Sequence, residues 1–256
     1  MIHKTAIVHP KAKIGAGCEI GPYCVIGEYV TLGGKCKLYS HVVIDGYTKL
    51  GKEYEIFPFA SIGLKTQDLK WTGGVTRTEI GDSNTFREYV TIHSATGDGE
   101  VTRVGSHNTI LAYCHVAHNC TLGSHIIMSN VATLAGHVTV EDHAVIGGLA
   151  AVHQFCRIGK MAMIGGCSKV VQDVPPFMMA DGNPAETRTV NKTGMERNDV
   201  SEKAQSALRK AYKILFREGL TVSNGIAKVE KQLPAALPEV AHLIQFVRAS
   251  ERGISK

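Results

Sequence analysis

Residues 12–38 read AKIGAGCEIGPYCVIGEYVTLGGKCKL. Within this stretch Ile14, Ile20, Ile26, Leu32 and Leu38 recur every six residues, and Gly follows the first four. Working outward, the frame runs back to Val8 and Ile2 and forward through Ile44, Leu50, Ile56 and Ile62. It resumes at Ile80, Phe86 and Ile92, then continues from Val104 to Val170. Of its 29 positions 26 are apolar, against about 13 expected from the 44% apolar background. A period of six fits neither an α-helix nor a heptad. It fits a short strand plus a turn, three times per coil, in a parallel β-helix.

Alternation within a strand sends the frame residue and the one two before it to the same face. That second column is small: Ala12, Cys18, Cys24, Cys36, Ala60, Cys114, Cys120, Ala132, Ala144, Ala150, Cys156 and Ala162. Six of the seven cysteines fall in it, and no C-x-x-C pair occurs. They read as buried small hydrophobes rather than a disulfide or zinc framework. Of the 27 glycines, 13 directly follow a frame position. They are expected to supply the backbone freedom of a corner.

The frame fails at Asp68, Gly74 and Asp98, in polar stretches near 64–79 and 94–103. Both read as loops excluded from the coil, where a rigid scaffold often carries function. The repeat stops near Pro175-Pro176, and DGNPAETRTVNK (181–192) reads as a connector. Ser201 is a helix N-cap, and Leu208, Tyr212, Leu215 and Phe216 form one apolar helical face ending at Gly219. Further helices are predicted near 222–233 and 238–250. The expected organisation is therefore a mainly β chain: a parallel β-helix over 1–190 and a small C-terminal α-helical domain over 191–256.

The 256-residue length allows a sizeable core. No apolar run approaches the roughly 20 residues of a membrane helix. The N-terminus lacks the apolar segment of a signal peptide. A cytoplasmic protein without an integral membrane segment is expected. Residues 1–190 carry 16 basic and 16 acidic residues, whereas 191–256 carry 12 and 7, so the whole net charge of +5 lies in the tail. Arg209, Lys210 and Lys213 suit an acidic protein partner there; no nucleic-acid partner is expected.

Residues about 18 apart stack roughly 4.8 Å apart on neighbouring coils. His107, His125 and His143 form one such column and read as a solvated ladder. His115, His118, His137 and His153 gather on another edge as a candidate site. Two chemistries fit them. One is a zinc site, as in a carbonic anhydrase of hexapeptide architecture, although that family's H-x4-H pair is absent here. The other is general-base catalysis, with a backbone N–H such as that in Ala135-Gly136-His137 holding an oxyanion.

SIGLKTQDLKWTGG, LAYCHVAHNC, TLAGHV, GGLAAVHQFCRIG, GGCSKVVQDVPP and DGNPA resemble the bacterial acyl-[acyl-carrier-protein]–UDP-N-acetylglucosamine O-acyltransferases, which open lipid A synthesis. The resemblance runs over essentially the whole chain. Hexapeptides alone are shared by many acyltransferases; HQFC, QDLK and HxAHxC are more specific. A related N-acylating enzyme has an extra N-terminal domain, whereas this repeat begins at residue 2. The resemblance implies a left-handed coil, a homotrimer with sites between subunits, and no metal or cofactor. It implies transfer of a 3-hydroxyacyl chain from acyl carrier protein to the 3-hydroxyl of UDP-N-acetylglucosamine. His118 matches the general base and Gly136 the oxyanion donor. Gln67, Asp68, Lys70, His115, His137, His153 and Gln154 match substrate-contacting positions, and Asn191 and Arg197 match positions near the uridine and phosphates. Gly166 matches the position that sets acyl length, and its missing side chain predicts a longer chain than ten carbons.

Three departures stand out. Asn119 replaces the Asp that usually follows the catalytic His, Arg197-Asn198 replaces a pair of arginines, and Thr193 stands where an acid is common. Alternatives are N-acylation of a 3-amino-3-deoxy analogue of the sugar, a metal-dependent hydratase, and an inactive hexapeptide scaffold.

Overall fold

The computed structural model describes residues 1–233 and 237–256. Among the described residues, strands of two to six residues stack into three sheets of nine, eight and ten strands, pairing in parallel except for one closing hairpin. They form a left-handed parallel β-helix. Frame residues pair with frame residues: Ile26 with Ile44, Ile44 with Ile62, Ile62 with Ile92, Ile92 with Val116, Val116 with Leu134, Leu134 with Val152 and Val152 with Val170. This aliphatic stack is buried along the prism, and each fully buried member contributes about 1.5–3 kcal/mol. The small column lies beside it: the six cysteines in that column are buried, while Cys167 is exposed.

The corners differ from expectation. At many corners the residue three beyond the frame position, rather than the one directly after, takes the left-handed conformation, as at Tyr23, Lys35, His107, Asn119, His125 and His137, with φ between 58° and 60°. These are not glycines, and the conformation costs about 1–2 kcal/mol at each. A backbone hydrogen bond to the previous coil offsets it; His125 N–H donates to Ser106 O at 3.0 Å and His137 N–H to His118 O at 3.0 Å. The glycines answer a different need, close approach. A Cβ on Gly15 would lie 2.5 Å from Gly33 C, and one on Gly147 2.6 Å from Gly166 N.

Ser61 pairs with Thr91 and Thr91 with His115, so one coil takes 30 residues and the next 24 instead of 18. The excursions are shorter than the polar stretches implied, because Ser61–Leu64, Arg77–Ile80 and Val101–Val104 still pair as strands. The connector also differs: Met178–Gly182 and Ala185–Val190 form an antiparallel hairpin. Among the described residues four helices follow, α1 Lys192–Arg197, α2 Glu202–Arg217, α3 Val222–Gln232 and α4 Pro238–Arg248. Ser201 caps α2 by accepting from Ala204 N–H at 3.2 Å. The short α1, which runs through Gly194, has no clear signal in the sequence. Leu208, Leu215, Val229 and Leu243 pack with Phe177 and Met178 in a second core, seating the helices on the last coils. Among the described residues no helix is long and apolar enough to cross a membrane.

Candidate active site

His118 and Gly136 occupy equivalent positions on successive coils. A Cβ on Gly136 would overlap Cε1 and Nε2 of His118, so glycine is what lets the imidazole lie across the next coil. Among the described residues the Gly136 N–H has no hydrogen-bond acceptor.

Both excursions converge on this imidazole. In the first, Asp68 N–H donates to Thr66 Oγ1 at 3.1 Å and Lys70 N–H to Asp68 Oδ1 at 3.0 Å. That turn aims Asp68 Oδ2 at His118 Nε2, 3.7 Å away. The Lys70 amide, with the His118 ring contributing, holds the Asp68 carboxyl below its ordinary range. The second excursion reaches the other face of the ring. His118 Nδ1 lies 2.9 Å from Asn119 Oδ1, and Thr96 N–H donates to the same oxygen at 3.1 Å. Asn119 Nδ2 donates to Glu100 Oε2 at 2.7 Å. Thr66 and Thr96 join the two loops through their hydroxyls, 3.1 Å apart.

These contacts decide the tautomer. The Thr96 amide requires an oxygen and the Glu100 carboxylate requires a donor, so the orientation of the Asn119 amide is fixed. His118 Nδ1 must then carry the hydrogen, leaving the Nε2 lone pair free in the neutral ring. Side-chain exposures of 15% for His118 and 19% for Asp68 leave the pair sheltered but reachable.

Neighbouring histidines are kept neutral. Burial, with help from His93 and His118, pushes His115 down to about 4, and its Nδ1 lies 2.7 Å from Thr91 Oγ1. Burial also lowers His93 and His137, with His118 adding to both. His137 meets His118 edge-on at 5.2 Å and stacks on Phe155 at 4.7 Å. Gln67 and Lys70 are exposed on the first loop beside Asp68.

The remaining predicted residues lie apart from this cluster. His153 and Gln154 are exposed, and the polar contact of the His153 ring is to Gln154 O at 3.2 Å. Asn191 caps α1, accepting from Gly194 N–H at 3.0 Å and donating to Met161 O at 2.8 Å. Arg197 is exposed in the last turn of α1. Gly166 is exposed on the coil surface, and a Cβ there would sit 3.3 Å from Gly148 O. Arg209, Lys210 and Lys213 project from the exposed face of α2. Among the described residues no group of three or more His, Cys, Asp or Glu is placed to hold a metal ion. Sequence reasoning missed Thr96 and Glu100, whose one signal was Asn119, an amide where a carboxylate is usual.

Comparison with known proteins places these features. The family described as bacterial transferase hexapeptide (six repeats) matches residues 1–34, and UDP-N-acetylglucosamine O-acyltransferase domain 2 matches residues 173–255. An acyl-[acyl-carrier-protein]–UDP-N-acetylglucosamine O-acyltransferase from Thermodesulfovibrio yellowstonii is 52% identical over 257 residues, covering 100% of this chain and 99% of its own. The chain belongs to this acyltransferase family. Solved structures agree throughout their length. LpxA from Acinetobacter baumannii is 44% identical with a TM-score of 0.96, covering 100% of this chain and 99% of that one. LpxA from Bacteroides fragilis, a UDP-N-acetylglucosamine acyltransferase, is 37% identical with a TM-score of 0.97, covering 100% of both chains.

Proposed function

We propose that this enzyme transfers a 3-hydroxyacyl chain from acyl carrier protein to the 3-hydroxyl of UDP-N-acetylglucosamine, with His118 as general base. Membership of the family supports the reaction. The observation that carries the role of His118 is its fixed tautomer, with a free Nε2 facing Gly136 and Asp68. Nε2 takes the proton of the sugar hydroxyl as that oxygen attacks the thioester carbonyl. The Gly136 N–H, having no other acceptor, stabilises the oxyanion. Collapse breaks the C–S bond, and the imidazolium returns the proton to the departing thiolate. No covalent enzyme intermediate forms.

On this reading Gln67, Asp68, Lys70, His115 and His137 bind substrate from the His118 side. His153, Gln154, Asn191 and Arg197 complete the site from a neighbouring copy, which accounts for the absence of His153 and Gln154 from the cluster within one protomer. A homotrimer is further supported by an exposed stack of Tyr23, His41, Phe59, Tyr89 and Tyr113, with centroids 4.8–5.0 Å apart, that a second copy would cover. Residues 1–190 form the catalytic coil; residues 191–256 form the helical domain, whose Arg209, Lys210 and Lys213 dock the acidic carrier. Gly166 leaves the acyl groove open. The site for this chemistry is the cytoplasm.

The decisive test is turnover of His118→Ala with purified acyl carrier protein thioester and UDP-N-acetylglucosamine. A loss of about 10²–10⁴ in kcat is expected. Near-normal turnover would refute the assignment.

A further inference from the structure

Asn119 stands where the family usually has a carboxylate beside its base, and a neutral amide cannot balance an imidazolium. The structure supplies the missing charge one step away. Asn119 Oδ1 faces His118 Nδ1 at 2.9 Å, while Asn119 Nδ2 donates to Glu100 Oε2 at 2.7 Å. Glu100 is itself held, since Gly97 N–H donates to the same oxygen at 2.7 Å and Glu100 N–H closes the turn on Gly97 O at 3.0 Å. The Asn119 backbone is fixed too: its φ is 60°, a conformation that Asn tolerates well, and its N–H donates to Thr102 Oγ1 at 2.9 Å.

We propose that Glu100 is a positioning residue for the base, acting on His118 through the Asn119 amide, so that the two side chains replace one adjacent carboxylate. Each link is a hydrogen bond of good length, and the amide dipole is oriented with its oxygen to the imidazole and its nitrogen to the anion. The Asn119 bond, then the Gly97 amide, holds the Glu100 carboxyl below its ordinary range, with smaller help from His137 and His118. Glu100 therefore stays anionic where the base works.

The inference rests on His118 being the base, and the two ideas can be separated. Glu100→Gln is the informative variant. A Gln oxygen in place of Oε2 accepts from both Gly97 and Asn119, so the loop is kept and only the charge is lost. Charged or titratable groups around the ring besides Glu100 are Asp68 and Lys70 from the first loop, His93 from the preceding coil, His115 from the same coil and His137 from the following one. All remain in the variant.

Steady-state kinetics as a function of pH, with the carrier thioester and UDP-N-acetylglucosamine, give the readout. Glu100→Gln should lower kcat about tenfold, with KM for the sugar nucleotide changed less than about twofold. The acidic limb of its profile should move to lower pH, because removing an anion disfavours the protonated ring. Adding Asn119→Asp to Glu100→Gln places the charge directly beside His118 and should restore kcat to within about threefold of the parent. An unchanged kcat and acidic limb in Glu100→Gln would overturn the relay. So would a loss that the double variant fails to recover, since Glu100 would then act only in loop structure. Turnover retained by His118→Ala would overturn the base and the relay together, an outcome distinct from failure of the relay alone.

Discussion

Two edges of the same prism carry histidines at equivalent corners, and only one is built like the site proposed above. On the quiet edge His107, His125 and His143 share φ values of 59° to 60° and stack at 4.9 and 4.7 Å. On the other edge His137 has the same corner backbone, φ 60°, and stacks on Phe155. What distinguishes the second edge is a pair of interruptions. They bring Asp68 to a histidine one residue off the corner and Glu100 to its neighbour Asn119, and Gly136 gives that ring its space. The repeat supplies a rigid ruler, and the chemistry enters where the repeat is broken.

The contrast can be broken most severely by exchanging which edge is altered. His118→Ala should abolish most turnover, whereas His125→Ala should leave kcat within about twofold, because a solvated stack contributes little. Equal losses would mean that the two edges are not functionally distinct. Next in size, Gly136→Ala should cost about 10² in kcat while leaving the chain folded, because the added methyl displaces the imidazole and not the core. Circular dichroism with kinetics checks this. Reversing charge at Arg209, Lys210 and Lys213 should raise KM for the acyl carrier about tenfold at low salt, and less at high salt. An equal rise for the sugar nucleotide would show only a solvated face. Gly166→Met should shift donor preference toward shorter acyl chains, read by mass spectrometry of products from a donor panel; an unchanged profile rejects the open-groove reading.

The smallest effect sharpens the comparison through stability. His115 is held neutral in the folded chain down to about 4, whereas the unfolded imidazole titrates near 6.5. The unfolded state therefore binds the proton first as pH falls. The stability associated with a neutral His115 is present above the unfolded value and is lost progressively between about 6.5 and 4. Thermal melts of His115→Gln should show a flatter loss across that window than the parent.

The coil was legible because its cause is periodic: each frame residue meets the same environment on the next coil. The role of the glycines was misread for a related reason. Close approach and left-handed backbone both favour Gly in a sequence, and only the distance to the next coil separates them, as Gly15 against Gly33 shows. His118 and Gly136 stand out by coil spacing and Asp68 by its break in the frame; the family motifs give them roles, and the three meet in space. Glu100 was not, because its contact to Asn119 joins an excluded loop to a corner and has no period to betray it. The hairpin 178–190 was hidden by its Asn183-Pro184 turn, which reads equally well as a connector.

The two ends of the prism are unlike. The first coil has an exposed start, with Met1, Ile2 and Ile7 at 93%, 52% and 67% exposure, while the last coils lie under the hairpin and helices. In a stack whose turns touch only their neighbours, opening begins at the most exposed turn and propagates. Amide hydrogen exchange should therefore be fastest in the opening coil and slow toward the capped end, leaving His118 midway along the axis. The exposed first coil can then fray, repeatedly and reversibly, without the edge proposed for catalysis coming apart.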